Sequence, residues 1–180
     1  MTAASPSDVR LVDLPPVDRE RAVPVLIDSF VGIYRWHAKR TLREVQIVRG
    51  AEVHGELLGV AMLERLVPEV GYVYYIAVAA AHRKEGIGGR LLDDAISRFR
   101  REGAEVLYAA VQSDNAPSIA LFLSRGLRSV ERKELGYREG GLGAWGLRSR
   151  MHLVYGELLL GVRLAPPAAP GSEPSSSPAP

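Results

Sequence analysis

The chain has 180 residues, the length of one domain that can bury about two thirds of the surface its unfolded form exposes. A hydrophobic content of 47% beside 24% charged residues is that of a globular protein, and no apolar run reaches the roughly 18 residues of a transmembrane helix. Cys is absent, which excludes disulfides, thiolate metal sites and a Cys nucleophile. The net charge is only +2, yet of the 23 basic residues all but Lys39, Lys84 and Lys133 are Arg. Guanidinium groups suit phosphates and carboxylates, so an anionic ligand is allowed. Heat adaptation or genome composition accounts equally well for that bias, and for Asn115 being the only Asn. Met1–Asp8 lacks a signal peptide's apolar stretch, so a cytoplasmic protein without membrane association is expected. His37, His54, His82 and His152 form no metal-ligand spacing. Aromatic content is 7% and no basic run appears, which argues against a nucleic-acid partner.

Residues 1–7 read as a flexible start. Val9–Leu14 alternates apolar and polar residues and predicts a first strand. After Pro15-Pro16, Asp18 can cap a helix carrying Val23, Leu26 and Phe30, which Pro24 will kink or restart. A second short helix carries Ile33, Trp36 and Leu42. Gln46–Val53 and Glu56–Arg65 predict two strands joined by a tight turn at His54-Gly55. Val67–Gly71 turns the chain into a third apolar strand, Tyr72–Val78. Leu91, Leu92, Ala95, Ile96 and Phe99 share a helical face that ends near Gly103. Glu105–Val111 is a strand, and Asn115 opens a helix with Pro117 in its first turn, closed by Gly126. Leu127–Leu135 returns as a strand, and a glycine-rich stretch, Gly136–Gly146, precedes a last strand within Arg148–Leu164. The Ala/Pro/Ser-rich residues 165–180 are expected to be disordered, leaving 8–164 as the domain. The order βααβββαβαββ predicts an α/β (α+β) fold, a mixed sheet with helices on both faces.

The run Tyr72–Leu92 carries the chemistry. An apolar strand ends, a short loop follows, and glycines stand where a helix begins. Glycine lets backbone N–H groups approach an anion closely, and a helix N-terminus favours negative charge. Arg83, Lys84 and Arg90 add cationic side chains. The run lacks the lysine-containing nucleoside-triphosphate loop and the G-x-G-x-x-G spacing of dinucleotide folds. By itself, Arg83-x-x-Gly86-x-Gly88 is equally a device for close helix–strand packing.

In context, the segment resembles the acyl-CoA-binding motif of the GNAT superfamily of N-acetyltransferases, [QR]-x-x-G-x-[GA] after the fourth strand. The second half of that signature also appears, from Asn115 through Phe122 to Gly126-Leu127. The resemblance covers roughly residues 8–164 and is strongest over 71–127. It implies a mostly antiparallel sheet of about seven strands and acetyl-CoA as cosubstrate, with no metal. Backbone groups of Ile76, Ala77 and Val78 would pair with the pantetheine arm. The N–H groups of Arg83, Lys84, Glu85, Gly86, Ile87, Gly88 and Gly89 would hold the pyrophosphate. The fourth and fifth strands would splay to admit the thioester. Asn115 would cap its helix and meet the cofactor arm, with Phe122 beside it. Trp36, Trp145 and the Gly136–Gly146 loop would flank an amine acceptor, and the apolar Leu153–Val162 suits a homodimer contact.

Two departures stand out. Many members place at Phe122 a Tyr that protonates the departing thiolate, and Phe has no proton to give; Tyr74, Tyr75 or Tyr137 could stand in. Members acting on ribosomal proteins often carry a Glu base where this chain has Ala110, and others use one where it has Tyr72. Glu64 or Glu69, working through water, are the replacements the sequence offers. The expected function is acetyl transfer to a primary amine, which could be a protein N-terminus, a lysine or a small molecule. The rivals are an acyl-CoA-binding regulatory module with little catalysis and a binder of some other phosphorylated ligand.

Overall fold

A computed structural model describes residues 8–131, 150–151 and 156–164. Its elements in chain order are β1 (Arg10–Asp13), α1 (Val23–Ser29), α2 (Gly32–Glu44), β2 (Ile47–Val53), β3 (Glu56–Val67), β4 (Val70–Val78), α3 (Ile87–Arg101), β5 (Val106–Gln112), α4 (Ala116–Leu123), β6 (Arg128–Ser129) and β7 (Glu157–Arg163). The order βααβββαβαββ is the expected one. The strands form one seven-stranded sheet in the order β1-β2-β3-β4-β5-β7-β6. Every pairing is antiparallel except β4 with β5.

Four local readings change. Pro16–Ala22 is a 3-10 helix in which Asp18 makes no cap bond. Pro24 has no N–H to give a preceding carbonyl, so α1 starts afresh at Val23 with the proline in its first turn. The turn expected over Val67–Gly71 shrinks to residues 68 and 69, because β3 and β4 remain paired out to Val67 and Val70. The strand expected over Leu127–Leu135 is only Arg128–Ser129 within the described residues, matching the two β7 residues it pairs with. Of the Leu153–Val162 run read as a dimer contact, the part from Glu157 onward lies in β7, which pairs with β5 and, at Leu160 and Gly161, also with β6. The hairpin between β2 and β3 turns as expected, with φ of +50° at His54 and +85° at Gly55.

Helical spacing places Leu91, Leu92, Ala95 and Phe99 of α3 against one sheet face, where all four are fully buried with Leu63, Val73, Leu107 and Ala109. Leu91, Leu92 and Phe99 each stabilise the fold by roughly 1.5–3 kcal/mol through lost apolar exposure, and the single methyl of Ala95 by less. The opposite face is covered by α1 and α2, whose Leu26, Ala38 and Leu42 pack on Val48, Val60 and Met62. Further along that face Tyr72, Tyr108, Met151 and Leu159 form a third cluster.

Near the β1 edge of the sheet, the Glu52 carboxylate on β2 is only 6% exposed and accepts from Arg10 at 2.6 Å and from Arg21 at 2.8 Å. These hydrogen bonds hold its carboxyl below the usual range, outweighing burial, and join β1 and the 3-10 segment to β2. A depressed folded pKa contributes stability that is present above the ordinary value of about 4.3 and lost as pH falls through the folded value. Both guanidinium groups reach solvent, so the contribution is about 1 kcal/mol. Glu52→Gln should lower unfolding free energy by that amount at pH 7, and urea titrations at pH 3 should show the two proteins converging.

Candidate active site

The sheet is interrupted at its only parallel seam. β4 and β5 pair from Val70↔Val106 to Val73↔Ala109 and then part. Beyond that point β4 stays with β3 as far as Val78, while β5 stays with β7 as far as Gln112. A bulge explains the divergence. On β3, Met62 faces Tyr75 and Leu63 faces Val73, so Tyr74 is an extra residue where the β5 pairing stops. An extra residue bends and twists its strand. It also shifts the side-chain alternation: Tyr74 and Tyr75 both pack on the α1/α2 side, and Ile76 and Val78 then turn to the α3 side.

On the α3 side, the Ala80–His82 turn leads through Arg83 to Gly86 and the start of α3. Gly86 is the N-cap with φ +81°, a left-handed conformation that suits glycine, and no side chain caps the helix. The first-turn N–H groups of α3, at Ile87, Gly88 and Gly89, therefore lack helical partners, as every helix start does, and can hold an anion. A Cβ on Gly88 would point at Leu121, Val78 and Ile76, 3.4, 3.7 and 3.9 Å away. Gly88 thus faces a wedge between α3, α4 and the end of β4, lined by Leu121, Val78 and Ile76 at ordinary contact distances.

Some expected contacts are used differently. Arg83 spends its own N–H on the Ala80 carbonyl at 3.4 Å, and its guanidinium bonds the Val78 carbonyl at 3.2 Å. Ser29 Oγ also donates to that carbonyl, at 3.2 Å, so both its acceptor positions are taken. That leaves Lys84, at φ +68°, to Gly89 for the expected anion cradle, and the Val78 N–H with Ile76 for the expected strand pairing; Ala77, two residues before the Ala79 N–H that bonds Leu58, turns its backbone groups to β3. Arg90 turns away to the Val9 carbonyl at 2.6 Å. Glu85 carries a 3.1 Å contact to His82 and offers the loop its backbone. Asn115 caps α4, its Oδ1 accepting from Ser118 N–H at 3.1 Å, and it lines the cleft beyond the gap. Phe122 is 5% exposed, packed in the α3-side core with an edge on the cleft.

The cleft runs through the gap, from the α1/α2 side to Val73, Ile76, Leu121 and Phe122 on the α3 side, and has a volume of about 770 Å³. Its floor is Tyr72, Tyr74 and Tyr75, and its wall is α2 through Tyr34, His37, Arg40 and Glu44. Burial, with Glu64 next, pushes the Tyr74 phenol up to about 12; burial, with Glu157 next, does the same for Tyr75. Burial also raises Tyr72 and Tyr34. All four phenols stay protonated at neutral pH and can donate but not act as bases. Tyr72 donates to the Met151 carbonyl at 3.1 Å and Tyr74 to that of Arg150.

Of the two carboxylates expected as base, Glu64 lines the cleft and accepts from the Gln46 N–H at 3.2 Å. Glu69 sits exposed on the β3–β4 turn, beside the start of β5, and is not part of the cleft. Trp36 is 57% exposed, with the Arg40 guanidinium 5.8 Å from its ring. Tyr137, Trp145, His152 and the Gly136–Gly146 loop lie outside the described residues. Sequence reasoning missed Tyr34, Gln112 and Glu157. Gln112 Nε2 donates to the Tyr34 hydroxyl, and Glu157 is its cross-strand partner. The available signal was Glu157 as the one charge in the apolar run 153–162. Among the described residues no group of three or more His, Asp or Glu could hold a metal ion, and no helix is long and apolar enough to cross a membrane.

Comparison with known proteins agrees with this geometry. The model of the acetyltransferase (GNAT) family matches residues 15–127. The N-alpha-acetyltransferase RimI of Mycobacterium tuberculosis is 32% identical over 152 residues, covering 81% of this chain and 94% of that one. Among solved structures, the ribosomal-protein-S18-alanine N-acetyltransferase of Escherichia coli superposes with a TM-score of 0.64 at 19% identity, covering 87% of this chain and 94% of that one. A GNAT family acetyltransferase from Elizabethkingia anophelis, solved with acetyl-CoA bound, gives 0.61 at 19% identity, covering 87% and 99%. At such identities these two structures speak for the fold alone. The family match and the curated relative speak for more: the chain belongs to the GNAT family of acetyltransferases, enzymes whose acyl donor is acetyl-CoA.

Proposed function

We propose that the enzyme transfers the acetyl group to a primary amine by direct attack in a ternary complex, and that the amine it suits best is the α-amine of a polypeptide. The observation that carries this reading is the parting of β4 and β5 beyond Val73 and Ala109, with an anion cradle on one side of the sheet and the tyrosine-floored cleft on the other. A pyrophosphate at Lys84–Gly89 would send its pantetheine arm past Gly88 along the free edge of β4. The thioester would then reach the gap and meet an acceptor arriving from the cleft.

The cleft's charge favours a cationic acceptor, since Arg40 and His37 are set against Glu44, Glu64 and Glu157. An α-amine titrates near 7.7–8.0 and a lysine near 10.4, so the former needs much less help to become a nucleophile. The RimI relative is by name an N-alpha-acetyltransferase, which leans the same way. Exposed Val31, Ile33 and Trp36 on and before α2 offer apolar surface beside Tyr34 and His37 for the residues following such an amine.

The amine nitrogen attacks the thioester carbonyl carbon, and a β4 backbone N–H receives the developing oxyanion. The C–S bond then breaks. A CoA thiol ionises near the ~8.5 of cysteine, so it leaves as thiolate without a strong acid, which suits Phe122 and phenols held near 12. Alignment of the two reactants would supply most of the rate. An acyl-CoA-binding module with little catalysis finds no support in the family match.

Two experiments follow from this reading. Thiol release from acetyl-CoA should be faster with peptides bearing a free N-terminus than with free lysine, and absent with the same peptides N-terminally blocked; equal rates with blocked peptides would rule out the α-amine. Replacing Gly88 with Val should fill the wedge near Leu121, weakening CoA binding about tenfold or more by calorimetry while the melting temperature moves little.

A further inference from the structure

The catalytic base expected from the sequence does not fit the cleft well. Glu69 is outside it, and Glu64 stands across from Tyr72, at a level where β4 and β5 are still paired. Another carboxylate is better placed. Glu157 begins β7 directly across from Gln112, the last residue of β5 and part of the strand segment that borders the gap. Cross-strand partners in an antiparallel pair project to the same face. That face is fixed by the Gln112 side chain, whose Nε2 donates to Tyr34 of α2. Glu157 therefore projects into the cleft, which it lines, on the acceptor side of the sheet. Ala110, two residues before Gln112 on the same face, carries only a methyl group and leaves the way from Glu157 to the gap open.

We propose that Glu157 is the group that binds the acceptor ammonium and accepts its proton. This rests on the amine-acetylation reading above and assigns its base. In the step, R–NH3+ gives one proton to the Glu157 carboxylate, and the freed nitrogen lone pair forms the N–C bond at the thioester carbonyl. The C–S bond breaks, its electron pair leaves on CoA sulfur, and the second nitrogen proton passes to that thiolate. Glu157 returns the first proton to solvent, so the products are amide, CoA thiol and one released proton. Gln112, by holding Tyr34, fixes the α2 wall opposite the carboxylate and is a positioning residue.

Several groups share the cleft with Glu157. From α2 they are Tyr34, His37, Arg40 and Glu44; from β3, Glu64, with the Arg150 guanidinium 3.8 Å from it; and from β4, Tyr72, Tyr74 and Tyr75. Asp114, after β5, acts on Tyr34 through its charge. The carboxylate's charge helps hold Tyr34, Tyr72 and Tyr75 protonated, which places it centrally among them. Those phenols can in turn donate to the acceptor without competing for its proton.

The test is steady-state turnover of the full chain and its Glu157→Gln variant with acetyl-CoA and an N-terminal peptide, from pH 6.5 to 9.5. CoA affinity and melting temperature are measured alongside. The expected result is a fall in kcat/KM of about 10²-fold at pH 7. The deficit should narrow towards pH 9.5 as free amine becomes abundant in solution, with CoA affinity unchanged. Should the Gln variant fail to fold, Glu157→Asp carries the test, since it keeps the acid one methylene short and should retain part of the rate. A variant as active as the parent with the same pH profile would overturn the assignment of Glu157 alone. A parent that releases no thiol with any amine would overturn the acetylation reading itself, and the assignment with it.

Discussion

The proposed chemistry depends on one interrupted seam. The parallel pairing of β4 with β5 lasts four residues and fails where Tyr74 is inserted as a bulge. A parallel pair at the centre of a sheet would normally be closed and buried on both faces. Here the backbone groups of β4 beyond Val73 keep β3 on one side and lose their neighbour on the other. An open strand edge can pair with an extended amide-bearing arm. In the proposed reading that arm is the pantetheine of acetyl-CoA.

The same bulge organises the two sides of the gap. By slipping the alternation one residue, it puts Tyr72, Tyr74 and Tyr75 together on the α1/α2 side and returns Ile76 and Val78 to the α3 side. One side thereby becomes a wet, acid-lined cleft with a phenolic floor. The other becomes an apolar wedge leading to an uncapped helix start. Were the same residues in regular alternation, with no bulge at Tyr74, Tyr75 would face the α3 side instead. In the proposed reaction the cofactor would arrive from the α3 side and the acceptor from the α1/α2 side, meeting in the gap.

How much was legible in the sequence follows from the range of the forces involved. The glycines at 86, 88 and 89, the strand before them and the Asn115 cap are local signals, set by backbone conformation within a few residues, and they located the starts of α3 and α4. The element order also followed from local periodicity. What escaped depends on register between distant strands. No local pattern tells that Met62 and Leu63 straddle an extra residue on β4, or that Glu157 lands beside Gln112, 45 positions earlier. Glu69 is on the β3–β4 turn as expected, but that turn lies at the end where β4 and β5 are still paired, so the carboxylate is outside the cleft. Arg90 and Arg83 were read as phosphate ligands from their neighbourhood, but tertiary carbonyls, of Val9 and of Val78, claim their guanidinium groups.

The central claim is that acetyl-CoA occupies the β4 edge opened by this bulge. Amide hydrogen exchange with and without CoA tests it most directly, because strand-like pairing must slow exchange of the amides involved. The account predicts protection in two stretches only, Tyr74–Val78 and Lys84–Gly89, with the paired segment Val70–Val73 unchanged. Tight CoA binding that leaves both stretches exchanging at their unliganded rates would contradict it.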